Sequence, residues 1–494
     1  MGTDVTKEKF AERDYARFRE RLEKSLTALA GLLERPGFGA GPVTIGAELE
    51  LFLVDGSGRP LPKNRAILAR AADSRVTVEL NRFNLELNAS PVPLAGRPFT
   101  ALSAELAELL DRLGAVAGAH GGRLALVGIL PTLRRADLHP GVMTDAARYR
   151  AMDQGLRRLR GGPFRIRIGG DDPLELASED VAVEGANTSF QVHLRVDPNK
   201  FARTYNAVQL ATIPVLAVSG NSPILLGHRL WEETRIALFK QAVDDREATG
   251  PRRGPARTAF GTGWLRGGAL ELFAESVRLH QPLLPELSDE DAGHDAAGQR
   301  PPPLEELRLH QSTVWRWNRA IYDPADGGHL RIEMRALPSG PTVTDMMAST
   351  AFLIGLSLWL AGQDPDWTYA LPFERAEDGF YRAAQHGLAA ELSWPAWCRD
   401  QIRAVHAGDL VRELLPAARQ ALVQAGVVAQ EADSLLGVIS GRVASGQTGA
   451  VWQRATLAAA ERRFDREQAL AVLLERYLEY AAAGEPVHTW PAGE

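Results

Sequence analysis

The chain has 494 residues, with 56 Lys and Arg against 62 Asp and Glu, so its formal net charge is −6. The basic residues are interleaved with acids instead of forming a stripe, which excludes the usual electrostatic footprint of a nucleic-acid-binding protein. Cys398 is the one cysteine, which excludes an internal disulfide framework and a thiolate-rich zinc site and favours a cytoplasmic location.

The first 130 residues predict two long helices and several strands. The amino terminus is charged and lacks the apolar core of a secretory signal. Apolar residues then recur every three or four positions, which is typical of an amphipathic helix. The elements predicted here are a helix at 11–35, a strand at 43–54, an extended pair at 76–90 bent near 81–84, a helix at 99–119 and a strand at 123–129.

The rest of the chain predicts further strands and then mainly helices. The predicted elements are a strand at 188–196, helices at 199–219 and 231–245, a surface loop at 282–303, a strand at 329–336 and an almost wholly helical region beyond 342. The apolar stretch 346–362 is shorter than the roughly 20 residues of a membrane span, so we expect a buried core helix and no membrane partner.

This order of elements predicts an α+β fold with a largely antiparallel sheet. We expect a catalytic core over residues 1–365, including the N-terminal helix. A C-terminal helical cap over residues 366–494 is expected to pack on that core.

Polar residues occur two positions apart inside four of the predicted strands. Residues i and i+2 of a strand point to the same face. The pairs are Glu48 with Glu50, Glu86 with Asn88, Gln191 with His193, and Glu333 with Arg335, with Arg331 two positions earlier on the same side. Four such pairs favour a functional site, although the solvated face of a half-exposed sheet would also show them.

Carboxylates placed this close repel one another unless cations lie between them. Magnesium or manganese suits an inventory of carboxylates with one imidazole. Two such ions with arginines can clamp a polyphosphate, which points to ATP chemistry. None of the six lysines follows a glycine-rich loop, so P-loop catalysis is excluded.

Five motifs in order resemble a known family. They are I-G-A-E-L-E-L-F-L-V-D at 45–55, E-L-N-R-F-N-L-E-L-N at 79–88, T-S-F-Q-V-H-L at 188–194, N-S-P at 221–223 and R-I-E-M-R at 331–335. Together they resemble the bacterial carboxylate-amine ligases of the glutamate-cysteine ligase type 2 family, within the glutamine-synthetase-like superfamily. The likeness returns weakly at 446–454.

The resemblance implies a glutamine-synthetase-like core with a curved sheet and assigns roles to the polar residues. Glu50, Glu79 and Glu86 would hold the ion nearer the amino-acid substrate, and Glu48, His193 and Glu333 the ion that bridges the ATP phosphates. Arg335 would act with Glu333 in catalysis, against the transferring phosphoryl group. Substrate contacts are assigned to Arg235, Arg319 and Asn88, and nucleotide contacts to Gln191, Arg331 and Arg335.

The implied reaction joins a small carboxylic acid, typically glutamate, to an amine acceptor through an acyl phosphate. Guanidino-kinase-like phosphoryl transfer is an alternative within the same superfamily. A non-catalytic protein that binds Mg-ATP for sensing or assembly is another. Superfamily relatives range from monomers to large rings, so a homo-oligomer stays open.

Overall fold

The computed structural model of the chain describes residues 5–248, 254–289, 300–363, 366–396 and 401–493. The strands are β1 (Thr44–Asp55), β2 (Val76–Val78), β3 (Asn84–Pro93), β4 (Gly122–Ala125), β5 (Phe164–Ile168), β6 (Leu174–Ser178), β7 (Phe190–Val196), β8 (Ile224–Leu225), β9 (His228–Arg229), β10 (Asn318–Asp323), β11 (His329–Met334), β12 (Glu391–Ala396) and β13 (Gln401–His406).

The helices alternate with these strands in the first three quarters of the chain and dominate the last quarter. They are α1 (Glu12–Leu33), α2 (Asn64–Ala71), α3 (Pro98–Ala119), α4 (Ala147–Arg160), α5 (Phe201–Ala217), α6 (Thr234–Ala242), α7 (Ala269–Leu279), α8 (Glu305–Gln311), α9 (Val343–Ala361), α10 (Phe373–His386), α11 (Ala407–Gln424), α12 (Ala429–Ser445), α13 (Gly449–Ala460) and α14 (Arg466–Ala483).

The main sheet has seven strands in the order β10-β11-β7-β1-β3-β2, with β4 paired to the far end of β1. Every pairing in it is antiparallel. The predicted α+β class with a largely antiparallel, curved sheet is therefore confirmed. Strand β1 lies at the centre, which places its side chains between those of β3 and β7.

One face of this sheet is apolar and forms part of the main core. Leu49 and Leu51 of β1 and Leu85 and Leu87 of β3 have no exposed surface and belong to the same buried cluster. Helix α3 packs on β3 and β1, and α5 packs on α9. Because side chains alternate along a strand, the even-numbered residues of β1 and β3 point to the opposite face.

Helix α9 is the apolar helix that the sequence predicts. Among the described residues it alone is long and apolar enough to cross a membrane, and 78% of that window is buried inside the protein. Helices α5, α11 and α12 pack around it. The prediction of a buried core helix is confirmed, and its neighbours show why a helix with no polar stripe is needed there.

The structure corrects the sequence prediction in two places. The region beyond 342 is not almost wholly helical, because β12 and β13 form an antiparallel hairpin. Leu283 and Leu284, in the predicted surface loop, are each 1% exposed and belong to the core. Residues 290–299 of that loop and Cys398 lie outside the described ranges. The division of the chain at residue 366 stays a prediction.

A buried polar network ties the C-terminal helices to the loops at one end of the sheet. Asn221 has no exposed surface; its Nδ2 donates to the Ser339 carbonyl and to the Tyr477 hydroxyl, both at 2.8 Å. Gln453 Nε2 donates to Asn221 Oδ1 at 2.9 Å. The motif at 446–454 therefore contacts the N-S-P motif directly.

A buried ion pair joins α12 to α9. Arg442 Nη2 lies 2.8 Å from Asp345 Oδ1, and the two side chains are 2% and 0% exposed. Replacing Arg442 by Met leaves a buried carboxylate without its cation, so we expect the free energy of unfolding to fall by about 3–5 kcal/mol. Urea denaturation followed by circular dichroism measures this loss.

The matched control is Arg419→Met. Arg419 pairs with Asp433 on the surface of α11 and α12, where both side chains are nearly half exposed. Water solvates both groups there, so the urea midpoint should hardly change. Equal effects of the two substitutions would show that burial does not decide the contribution of the Arg442 pair.

Candidate functional site

The strand register brings the predicted polar pairs onto one face of the main sheet. Glu48 of β1 lies opposite Asn88 of β3 and Gln191 of β7, and Glu50 lies opposite Glu86 of β3. Directly opposed residues of antiparallel strands share a face and lie about 5 Å apart. The pairs that sequence spacing predicts one strand at a time therefore form continuous rows across three strands.

Strands β11 and β10 extend this polar face. Glu333 of β11 lies opposite His193 of β7 on one side and Arg319 of β10 on the other. Arg331 and Arg335 flank Glu333 at two residues' distance and share its face. The family resemblance assigns Arg319 to the site, although no strand is predicted around this residue. Strand β10 is the element that brings Arg319 there.

This polar face is shielded from solvent: none of its polar residues is exposed, and several are fully buried. Gln191 is 1% exposed, Glu333 2% and Glu86 8%. The alternative interpretation, that the polar pairs lie on the solvated face of a half-exposed sheet, is therefore wrong. Burying several carboxylates costs free energy unless each has a compensating partner.

Glu48, His193 and Glu333, called here the histidine group, have ligand atoms that all lie within 4.8 Å of one another. His193 Nε2 is 3.1 Å from Glu48 Oε1. On the other side of the ring, Arg331 Nε donates to His193 Nδ1 at 3.1 Å. Because Arg331 donates to Nδ1, a neutral ring carries its proton on Nε2, and holding a cation through Nε2 would need that proton on Nδ1 instead.

Two arginines surround Glu333 of the histidine group. Arg319 donates to both of its oxygens, from Nε at 2.7 Å and from Nη2 at 2.9 Å, and Arg335 Nη1 donates to Oε2 at 3.2 Å. Burial alone would raise the pKa of Glu333, but Arg319 and Arg335 hold it well below its usual value. Burial opposes ionisation of Glu48 as well, yet the adjacent His193 lowers the pKa of Glu48 to about 2.

Glu50, Glu79 and Glu86, called here the three-glutamate group, also have ligand atoms within 4.8 Å of one another. Glu50 and Glu86 are cross-strand partners. Glu79 follows β2, and its Oε2 accepts a hydrogen bond from the backbone N–H of Leu80 at 3.2 Å. The predicted bend between β2 and β3 therefore brings Glu79 and Glu86 together despite their odd separation of seven residues.

The three-glutamate group has few positive neighbours, and its carboxyl groups hold their protons more tightly. Burial and the nearby charges of Glu48 and Glu50 raise the pKa of Glu86 to about 7. Burial and the charges of Glu86 and Glu50 raise the pKa of Glu79 well above its usual value. Burial also raises the pKa of Glu50, and Arg335 partly opposes that shift.

Gln191 and Arg335 connect the two groups. Gln191 Nε2 donates to Glu50 Oε1 at 2.9 Å, and its Oε1 accepts a hydrogen bond from Arg335 Nη1. Arg335 also contacts Glu333 of the histidine group. The two sets of carboxylates are thus parts of one site, with the Arg335 guanidinium between them.

The other predicted contact residues lie around this centre. Asn88 Nδ2 donates to Glu86 Oε1 at 2.9 Å. Arg235 is 3% exposed; its Nη1 pairs with Glu233 Oε1 at 3.0 Å, and its Nη2 donates to the Arg335 carbonyl at 3.4 Å. Arg235 therefore supports the backbone that carries Arg335. Substrate binding by Arg235, Arg319 and Asn88 and nucleotide binding by Gln191, Arg331 and Arg335 stay predictions.

Glu184 is a site residue that the sequence analysis misses. It lies in a short 3-10 turn before β7 and lines a small cavity with Glu50 and Glu79. Burial and the charge of Glu50 raise its pKa to about 8. No periodicity marks a residue in such a turn, and its nearness to the motif at 188–194 is the signal that could have found it.

Both groups suit hard divalent cations. The three-glutamate group offers carboxylate oxygens alone, and the histidine group offers two carboxylates and an imidazole, which are ligands of magnesium and manganese. The charge repulsion within the three-glutamate group supports this assignment, because a cation would remove it.

Comparison with known proteins supports the predicted resemblance. Residues 44–266 match the model of glutamate-cysteine ligase family 2. A putative glutamate–cysteine ligase 2-2 of Mycolicibacterium vanbaalenii is 39% identical over 115 residues, which are 22% of this chain. The match spans 28% of the length of that relative.

The same fold occurs in a solved ligase. The crystal structure of glutamate–cysteine ligase from Francisella tularensis in complex with AMP superposes with a TM-score of 0.56. The alignment covers 91% of this chain and 90% of that one at 12% identity. The likeness confirms the predicted glutamine-synthetase-like fold.

Magnesium or manganese should stabilise the protein more at pH 8 than at pH 6. The raised pKa of Glu86 means that its contribution to stability is present below pH 4.5 and is lost as the pH rises through about 7. A bound cation offsets that loss by favouring the ionised carboxylate. Thermal unfolding with and without 5–10 equivalents of metal over pH 5.5–8.5, roughly the range in which this carboxyl ionises, measures the difference.

The matched variant is Glu86→Gln. Without metal, it should be more stable than the wild type at pH 8 by a few degrees, because it removes a buried like charge. It should also lose most of the stabilisation by metal. A metal response that is independent of pH and survives in Glu86→Gln would contradict the assignment.

Proposed function

Because residues 44–266 match glutamate-cysteine ligase family 2, we propose that this chain is an ATP-dependent carboxylate-amine ligase. Its acid substrate is glutamate or a close analogue, and its acceptor is a small amine. ATP first phosphorylates the acid, and the amine then displaces phosphate from the acyl phosphate. A cytoplasmic location is part of this proposal.

One observation carries the proposal. Two groups of three ligands, the histidine group and the three-glutamate group, lie on one buried face and are joined through Gln191 and Arg335. Two magnesium ions held there would neutralise the negative charge of the ATP phosphates. A single carboxylate pair would support metal binding alone, whereas two adjacent groups with an arginine between them suit phosphoryl transfer.

The residues of the chain act by position and charge. Arg335, already between the two groups, is placed to contact the oxygens of the phosphoryl group as they gain charge, and Arg319 supports Glu333 from the opposite side. In the first step a carboxylate oxygen of the acid bonds to the γ-phosphorus and ADP leaves. In the second, the amine nitrogen bonds to the acyl carbon, phosphate leaves and the nitrogen loses a proton.

This chemistry needs no covalent nucleophile from the protein. Binding both substrates beside the nucleotide in fixed orientation supplies much of the rate enhancement, and preorganised arginines supply charge stabilisation. The burial of the polar face helps, because electrostatic interactions are stronger where water is excluded. It also limits hydrolysis of the acyl phosphate by water.

The ligase proposal predicts that ADP release requires both an acid and an amine. Purified protein with Mg-ATP and glutamate is assayed with cysteine and with a panel of other small amines. Phosphate should appear in equal amounts to ADP. Phosphoryl transfer to a stable acceptor without phosphate release would favour guanidino-kinase-like chemistry, and tight Mg-ATP binding without turnover would favour a sensor.

Glu333→Gln should lower kcat by about 100-fold or more, because it removes a cation ligand and the partner of two arginines. Glu475→Gln is the matched control: Glu475 also accepts two hydrogen bonds from one arginine, Arg123, at 2.8 Å each, but on the surface. Circular dichroism checks that both variants fold. Retention of full activity by Glu333→Gln would refute the assignment of the histidine group.

A further inference from the structure

A small cavity borders the three-glutamate group on the side of the turn before β7. Glu50 and Glu79 form part of its wall, and Glu184, Asn84, Asn187 and Thr188 form most of the remainder. It has room for a group about the size of a water molecule. None of the side chains that line it is a lysine or an arginine.

Several polar groups on this wall have no hydrogen-bond partner among the described residues. Asn84 is 2% exposed, and neither its Oδ1 nor its Nδ2 makes a hydrogen bond. Asn187 donates from Nδ2 to the Glu184 carbonyl at 2.7 Å, but its Oδ1 is also buried and unpartnered. Buried amide oxygens nearly always accept hydrogen bonds, so Asn84 Oδ1 and Asn187 Oδ1 each indicate a missing donor. Asn84 Nδ2, by contrast, lacks an acceptor.

The carboxylate of Glu184, a half-buried residue, is a further acceptor on this wall. Within the described residues, no hydrogen bond or ion pair to this carboxylate occurs. A divalent cation in the three-glutamate group would offset the charges of Glu50, Glu79 and Glu86, but Glu184 is not one of those ligands. A positive group beside Glu184 would add an ion pair that this carboxylate does not make in the described part of the chain.

The shape and the donor pattern select the kind of positive group. A protonated primary amine carries three N–H donors at one point. Three acceptors are available in the cavity: the Glu184 carboxylate, Asn84 Oδ1 and Asn187 Oδ1. A guanidinium is planar and larger than the cavity, and a quaternary ammonium has no N–H to donate.

We propose that this cavity binds the protonated amino group of the acceptor amine, with Glu184 as its counter-ion and Asn84 and Asn187 as hydrogen-bond acceptors. The identification with the acceptor rests on the proposed ligase function, whereas binding of a primary ammonium group does not. The site recognises the head group, and the rest of the amine lies outside the cavity. Primary amines are therefore accepted, and tertiary and quaternary amines are excluded.

Binding is tested first, without turnover. Thermal unfolding of the full chain is followed in saturating Mg²⁺ at fixed ionic strength with ammonium, methylammonium, potassium or tetramethylammonium chloride. Ammonium and methylammonium should raise the midpoint above the value in potassium or tetramethylammonium. Potassium equal to or better than ammonium would overturn the proposal in favour of an inorganic cation site.

The variant Glu184→Gln keeps the size of the side chain and removes its charge. It should weaken methylammonium binding about tenfold or more, because the hydrogen bond to a charged acceptor is lost. Glu179→Gln, an exposed glutamate five residues earlier, is the matched control and should bind like the wild type. Unchanged methylammonium binding in Glu184→Gln would overturn the proposal. So would binding of three equivalents of Mn²⁺ by the wild type and two by Glu184→Gln, because Glu184 would then be a ligand of a third metal ion.

Activity separates this inference from the ligase proposal. With an acid and an amine that turn over, Glu184→Gln should raise KM for the amine about tenfold and leave KM for ATP unchanged. Equal changes in both KM values would overturn the assignment to the acceptor. If no pair turns over, the ligase proposal fails while the methylammonium measurement still decides what the cavity binds.

Discussion

The site depends on the antiparallel register of β1 with β3 and β7. This register sets Glu48 beside Gln191 and Glu50 beside Glu86. A slip of one residue would turn Glu48 and Glu50 into the core and the leucines of β1 onto the polar face. The apolar face, with Leu49 and Leu51 fully buried, therefore fixes the register that the carboxylates by themselves would oppose through repulsion.

The two ligand groups differ in how they tolerate burial without metal. Arginines next to Glu333 and the imidazole next to Glu48 keep the histidine group ionised. Among the described residues, no such cation is a direct hydrogen-bond partner of the three-glutamate group, and the pKa values of Glu86 and Glu79 are raised. The same sheet thus carries the histidine group, whose carboxylates are ionised without metal, and the three-glutamate group, whose carboxyl groups would ionise fully on binding a cation.

Sequence spacing predicts which residues share a face within one strand, because that depends on alternation alone. It predicted Glu48 with Glu50 and Glu333 with Arg335. It cannot predict which strands are neighbours, so the closeness of His193 to Glu333 required the resemblance or the structure. Sequence spacing does not identify Glu184 or Asn84 as site residues, because side chains in a turn or at the end of a strand follow no regular alternation. The hairpin of β12 and β13 was missed because two short strands interrupt a long helical region.

The contacts of Asn221 have a consequence for how the protein matures during synthesis. Asn221 bonds to the loop at 339 and also to Gln453 and Tyr477, which are translated more than 100 residues after β11. The sheet can therefore assemble while the ribosome is still at work, but the loop at 221 acquires its final hydrogen bonds only after α14 has left the exit tunnel. The nascent chain carries its acidic face well before the surroundings of that face are complete.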